Sequence, residues 1–332
     1  MDKSYNFYNI SKHRTELMGL ATIFIIIFHS SINVKDITIL QSLKNIGDFG
    51  VDIFLFLSGI GLYFSYTNDG DKVKFYKNRF IRIMPYYIPI AIVWYISYHI
   101  IFGGNIQKII IDITTLGFWT RGNMCMWYIS AISILYLISP YYIDLMKKKP
   151  ISITIVSVLS MIILTFIIRF TRLNDICGYL LIFLARVPIF IIGLNIGRLV
   201  YEHIEIEKNK LYKIHLLAIF CLLTSIIIVN PSYFYIPFFI KYLMYIPIAI
   251  SVCIIVSNTL TNNNRILETF GIYSLLVYLF HEKILWIISY IAKEILYERK
   301  IILNIVAIIL TLIVSYFYDK IIKNYILQNK KN

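Results

Sequence analysis

The sequence predicts an all-α fold: a polytopic transmembrane helix bundle of about ten spans with both termini cytoplasmic. Three observations predict it. Of 332 residues, 59% are hydrophobic and 15% charged, against about 25% charged in an ordinary soluble domain. Mean hydropathy is +0.73. The apolar residues fall in runs of bilayer length, about 20 residues each, and ten such helices account for roughly the whole apolar fraction. This composition excludes a soluble enzyme, a disordered chain and a disulfide-stapled secreted domain. Cys125, Cys177, Cys221 and Cys253 stand singly, with no CxxC pair, so neither a metal nor a disulfide framework is indicated.

Polar breaks place the spans at about 15–34, 46–66, 85–102, 125–145, 151–168, 178–200, 212–230, 237–257, 270–290 and 301–322. The first has no small-residue cleavage site behind it and reads as a retained helix, not a leader. The second carries Ser58, Gly59 and Gly61, small residues that allow helices to approach closely. Pro85, Pro150 and Pro237 sit near span starts, where a missing N–H costs least. The remaining spans are bounded by polar breaks, and no repeat, heptad run or linker interrupts the chain. It reads as a single membrane domain over 1–332, its core about 12–322, with no appended soluble domain.

The net charge is +14. In a soluble protein that would suggest nucleic acid; here topology explains it, and no nucleic-acid partner is expected. With a cytoplasmic N-terminus, the inside segments hold about twice the Lys and Arg of the outside ones, as the positive-inside rule requires. The richness in Ile, Asn, Lys and Tyr fits an AT-rich bacterial genome, so a multi-pass protein of a bacterial cell membrane is expected.

Ionisable groups inside a membrane are costly and mark functional sites by default. Four stand out: His29, Asp52, Arg186 and His281. At about 1.5 Å per helical residue, His29 lies roughly 21 Å from the cytoplasmic start of its span and Asp52 about 9 Å from the outer face. Both are then at one level, with Arg186 and His281 in the same layer. His13, His99, His203 and His215 read as interface, loop or structural histidines. On the cytoplasmic side, Arg79 and Arg82 are three apart and share a helix face. Guanidinium forks grip phosphate oxygens in pairs, although a positive-inside loop touching lipid headgroups explains the same residues. Asp69-Gly70-Asp71 has the look of a DxD metal motif, but a tight turn explains it without metal. No Walker, GxSxG or HExxH motif is present.

At these residues the chain resembles the acyltransferase-3 family of integral membrane O-acyltransferases. The motifs match in the family's order. They are Glu16-Leu17-Met18-Gly19-Leu20 with Phe28-His29, then Gly50-Val51-Asp52 through Ser58-Gly59. Next come Phe75-Tyr76 with Arg79, Arg82 and Pro85, and Met126-Trp127-Tyr128 with Tyr136 and Pro140. Arg186-Val187-Pro188-Ile189-Phe190 with Gly193, and Tyr278 with His281, complete the set. The resemblance covers residues 12 to about 320. It departs at Met18, where the family has an arginine; Arg14 lies one turn earlier on a similar face.

The resemblance implies transfer of an acyl group, most often acetyl, from acyl-CoA to a hydroxyl of a cell-surface or lipid-linked glycan, with acetyl-CoA as donor substrate and no metal. It implies that Arg79 and Arg82, with Arg14 and Glu16, bind the donor. His29 would act as general base or carry the acyl group, and Asp52 would orient it. Arg186 or His281 would stabilise the oxyanion, with Trp127 at the substrate. Acyl-CoA, a glycan acceptor, membrane lipids and a separate acyl-accepting protein are the partners implied. The competing reading is a transporter or flippase of a lipid-linked sugar. It would use the same polar layer and would be marked by broken helices in symmetric halves; no such pair is found.

Overall fold

Helix α1 (Arg14–His29) is shorter than the apolar run that forms it. In the computed structural model, which describes residues 4–5, 7–32, 38–228, 238–260, 264–291 and 300–328, α1 stops at His29. Ser30 then leaves the helix with φ −59° and ψ 143°. Its hydroxyl and its N–H both turn back to the Ile27 carbonyl, at 2.7 and 3.2 Å. Serine competes with the helix ladder through such local bonds, and hydropathy alone does not register it. The expected first span of 15–34 is corrected accordingly, and His29 is a terminal residue, not a mid-helix one. Residues 33–34, 229–230 and Pro237, named in the expected spans, lie outside the described residues.

The other long helices are α2 (Gly50–Asp69), α3 (Lys72–Ile101), α4 (Trp127–Lys148), α5 (Pro150–Phe170) and α6 (Val187–Tyr201), followed by α7 (Lys208–Ile228), α8 (Phe238–Thr259), α9 (Ser274–Ile291) and α10 (Lys300–Gln328). Among the described residues nine helical segments are long and apolar enough to cross a membrane. The 16 residues of α1 span about 24 Å. Apart from the two-residue pairing of Ser4–Tyr5 with Ile206–Glu207, the described secondary structure is helical. This is an all-α polytopic bundle. Large apolar side chains stand exposed along α5, among them Ile155, Leu159, Ile163 and Phe170, a surface suited to lipid and not to water.

Helix α3 corrects a second expectation. It begins at Lys72, not near Pro85, and carries Pro85 and Pro89 inside it. Asp71 caps its N-terminus, accepting from the N–H groups of Val73 and Lys74, and Gly70 precedes it at φ +66°. Asp69 pairs with Lys74 at 2.7 Å. The Asp-Gly-Asp triplet is thus a turn and helix cap. Membrane helices tolerate interior proline because neighbours satisfy the freed carbonyls.

Contacts divide the chain into two compact units, Met1–Gly61 with Ala185–Tyr318 and Leu62–Leu184 with Asp319–Asn332. The first is built on glycine contacts. A Cβ on Gly19 would overlap the Leu267 carbonyl, and one on Gly271 would overlap the Thr15 carbonyl, so α1 and the short helix Arg265–Ile272 touch backbone to backbone. Gly59 on α2 and Gly193 on α6 make the same reciprocal contact, against Phe190 and Phe56. The glycines of the first, second and sixth-helix motifs are therefore packing sites. In the second unit, His99 and Arg121 both bond the Asp112 carboxylate, at 2.8 and 2.7 Å. This pins α3 to the short helices Ile106–Ile113 and Leu116–Arg121.

Candidate active site

His29 ends α1 beside His281 and Glu282 of α9. Its Nε2 lies 2.7 Å from the Glu282 carboxylate. Its Nδ1 lies 3.0 Å from the Ile25 carbonyl and 3.3 Å from Nε2 of His281. His281 in turn presents Nδ1 to the carbonyls of Val277 and Tyr278, at 2.9 and 3.0 Å. A carbonyl only accepts, so the proton of neutral His281 sits on Nδ1 and its Nε2 is an acceptor facing His29. His29 Nδ1–H then has two acceptors behind it. Nε2 shares a proton with the Glu282 carboxylate, so the two act as one acid–base pair. The pair is also the more accessible part of the cluster: the His29 and Glu282 side chains are 32% and 45% exposed, whereas His281 is buried.

A small pocket lies beside this cluster, bordered by both histidines, Ile26 of α1, Leu285 of α9 and one face of α10. Asn304 of α10 fixes the chain just after His29: its Oδ1 accepts from the Ser31 N–H at 3.1 Å and its Nδ2 donates to the Ser31 hydroxyl at 2.8 Å. The ligand atoms of His29, His281 and Glu282 lie within 4.8 Å of one another, close enough to hold a metal ion. Their contacts favour proton transfer, because His29 meets Glu282 through one ring nitrogen and His281 through the other.

Asp52 and Arg186 belong to a different constellation. Arg186 precedes α6 and is 1% exposed. Its Nε donates to Asp52 Oδ2 and its Nη2 to Asp48 Oδ2, both at 3.2 Å. Lys241 reaches Asp48 at 2.9 Å, and the Tyr245 hydroxyl donates to Asp48 at 2.8 Å. The Tyr242 ring lies 3.7 Å below the guanidinium. Two acids and two bases thus neutralise one another in the core. Asp52, expected to orient His29, instead bonds Arg186; the carboxylate at His29 is Glu282. Arg186, expected as an oxyanion donor, is enclosed by its acids. His281, the other oxyanion candidate, offers His29 an acceptor. Equal depth placed these groups together, but depth carries no information about the direction in which each side chain points.

In the second unit, Arg79 and Arg82 lie on the first three turns of α3. Among the described residues neither makes an ion pair with an acid. Arg79 bonds the Ser65 hydroxyl at 2.9 Å and sits over the Phe75 and Tyr136 rings, while its buried Nε has no hydrogen-bond partner among the described residues. Arg82 is exposed. Guanidinium groups without an acid partner suit an incoming anion. Trp127, the first residue of α4, packs near Phe118 and Tyr128, with ring centroids 6.0 and 6.3 Å away. In the first unit Arg14 donates through Nε to the Leu57 carbonyl at 3.0 Å. Glu16 is buried against His13 at 3.3 Å. Met18, at the departure from the family motif, is in the core.

A family model described as an acyltransferase domain, the acyltransferase-3 model, matches residues 17–320. The chain belongs to the acyltransferase-3 family. The match covers both compact units and every motif but its first residue. No curated protein and no solved structure gives a significant match. Family membership and the apolar helices together make this a multi-pass membrane acyltransferase. Within this acyltransferase, sequence reasoning missed Glu282, Asp48, Lys241 and Asn304. Glu282 had a signal: with its neighbours it makes His281-Glu282-Lys283, three polar residues in the middle of an apolar run.

Proposed function

We propose that this acyltransferase moves an acyl group, acetyl above all, from acyl-CoA to a hydroxyl of a cell-surface or lipid-linked glycan, directly or through a separate acyl-accepting protein. The observation that carries the reading is the His29–Glu282 pair, backed by His281 and open to a pocket. In a family whose reaction is acyl transfer, an oriented imidazole beside a carboxylate is the device that activates a hydroxyl. The acceptor hydroxyl gives its proton to the His29–Glu282 pair, and its oxygen attacks the thioester carbonyl. Glu282 stabilises the imidazolium. So does the carbonyl end of α1, since a helix C-terminus favours a cation. The carbon–sulfur bond then breaks, and the thiolate leaves with the imidazolium proton as CoA thiol. Arg79 and Arg82 bind the donor phosphates.

The test uses purified protein in proteoliposomes with acetyl-labelled acetyl-CoA and surface glycan. Label is expected in an alkali-labile ester on the glycan. His29→Ala should lower transfer by roughly a hundredfold or more, the usual contribution of a positioned acid–base group. Arg82→Ala should raise the KM for the donor about tenfold while changing kcat little. Transfer by His29→Ala at the unaltered rate overturns the mechanism.

A further inference from the structure

We propose that His29 and His281 together form a binding site for a divalent transition-metal ion of the zinc type, and that the ion shuts the enzyme off by replacing the proton between the two imidazoles. This rests on the reading of His29 and Glu282 as the acid–base pair. The two facing nitrogens, Nδ1 of His29 and Nε2 of His281, are 3.3 Å apart. Zinc binds histidine nitrogen at about 2.0–2.1 Å in a tetrahedral shell, which sets neighbouring ligand atoms about 3.3–3.4 Å from each other. The separation already present between the two side chains is therefore the edge of a zinc tetrahedron.

Each imidazole is also held from behind, as metal-binding histidines are. His281 donates its Nδ1–H to the Val277 and Tyr278 carbonyls at 2.9 and 3.0 Å, which fixes the lone pair of its Nε2 toward His29. His29 meets the Glu282 carboxylate through Nε2 at 2.7 Å. That carboxylate holds the N–H of the tautomer whose Nδ1 lone pair faces His281, the carboxylate–histidine–metal arrangement. The ligand atoms of all three residues lie within 4.8 Å of one another, and the Ile25 carbonyl adds an oxygen 3.0 Å from Nδ1. The cavity bordering both histidines measures about 20 Å³, room for about one or two water molecules, and water completes the shell. Imidazole ligands favour zinc, copper or nickel over magnesium and calcium. When the ion binds, the Nδ1 proton of His29 leaves to water, and the proton shared with Glu282 stays on Nε2. The ring then has no lone pair to offer, and the acceptor hydroxyl keeps its proton.

The experiment uses the untagged full chain, stripped with a chelator and dialysed against Zn²⁺ in detergent, with bound metal counted by atomic emission. Wild type is expected to hold one more ion per chain than His281→Ala. His203→Ala, which removes an exposed histidine outside the site, should bind as wild type does. X-ray absorption at the zinc edge should show imidazole nitrogen at about 2.0–2.1 Å. In proteoliposomes Zn²⁺ should stop label transfer from acetyl-CoA to glycan, and the chelator should restore it. The remaining transfer of His281→Ala should need about tenfold more Zn²⁺, or above, for half inhibition. Should His281→Ala fail to fold, His281→Gln, which keeps a polar side chain of similar reach, takes its place. Equal zinc in wild type and the His281 variant overturns the proposal and leaves the acid–base reading standing. Full transfer with zinc bound, or a stripped enzyme that needs zinc to work, overturns the shut-off. If His29→Ala transfers label at the unaltered rate, it is the acid–base reading that fails, and the dialysis still decides on the ion.

Discussion

At the scale of the residue, the site depends on holding one imidazole by its back nitrogen so that the other meets Glu282. Three contacts do this: the Ile25 carbonyl and His281 at Nδ1, and Asn304 on the chain two residues beyond. Asn304 touches no reacting atom in the proposed chemistry, so it is a positioning residue. Asn304→Ala removes the acceptor of the Ser31 N–H and the donor to its hydroxyl, contacts each worth about 1 kcal/mol. The expected result is a fall in kcat of about tenfold with the donor KM nearly unchanged, and Asn304→Asp, which keeps an acceptor for the N–H, should recover part of it. Equal losses in kcat for Ala and Asp, or a change confined to KM, would remove the positioning role. The sequence made His29 and His281 conspicuous, because an ionisable group in an apolar run needs a reason. It could not pair them correctly with carboxylates. Asp52 and Glu282 are both acids in apolar runs, and only the azimuth of α2 and α9 sends the first to Arg186 and the second to His29.

At the scale of the element, the first unit is set by two kinds of contact with opposite legibility. The glycine contacts were readable: Gly59 stood out as a close-approach residue, and its partner Gly193 lay in a second motif, each fitting against the other helix's backbone. The ion network was not, since Asp48 and Lys241 sit at the edges of expected spans, where charges need no special account. The network ties the turn Gly47–Phe49, α2, the start of α6 and α8 through the Arg186 guanidinium and the Asp48 carboxylate. A buried ion pair adds little net stability over an apolar replacement, but losing one partner strands the other, at about 3–5 kcal/mol. Arg186→Ala is therefore expected to lower the melting temperature in detergent substantially. Asp52→Asn keeps the shape and leaves Arg186 its bonds to Asp48, and should lower it less. Melting of Arg186→Ala together with wild type would show that these elements are held without the network.

At the scale of the whole molecule, the composition foretold the bundle because a bilayer imposes its length on every helix. The places where it misled, the end of α1 and the start of α3, are those where local polar bonds outweigh hydropathy. The excess of basic residues carries one further consequence. If Lys and Arg set the orientation, both termini, Lys147–Lys149 and the Arg79–Arg82 turn face the cytoplasm, the compartment in which acyl-CoA is made, while the loop around Lys108 faces outward. The native thiols permit a clean test: Cys221 and Cys253 are buried, and the half-buried Cys125 and Cys177 are replaced by serine. Single cysteines then go in at the exposed positions Lys108 and Lys148. A membrane-impermeant maleimide applied to intact cells is expected to label Lys108→Cys, and to label Lys148→Cys only after permeabilisation. The reverse pattern would put Arg79 and Arg82 outside, away from any CoA pool. Their guanidinium groups, which have no acid partner among the described residues, would then have to serve lipid headgroups, and the donor would need a different anchor.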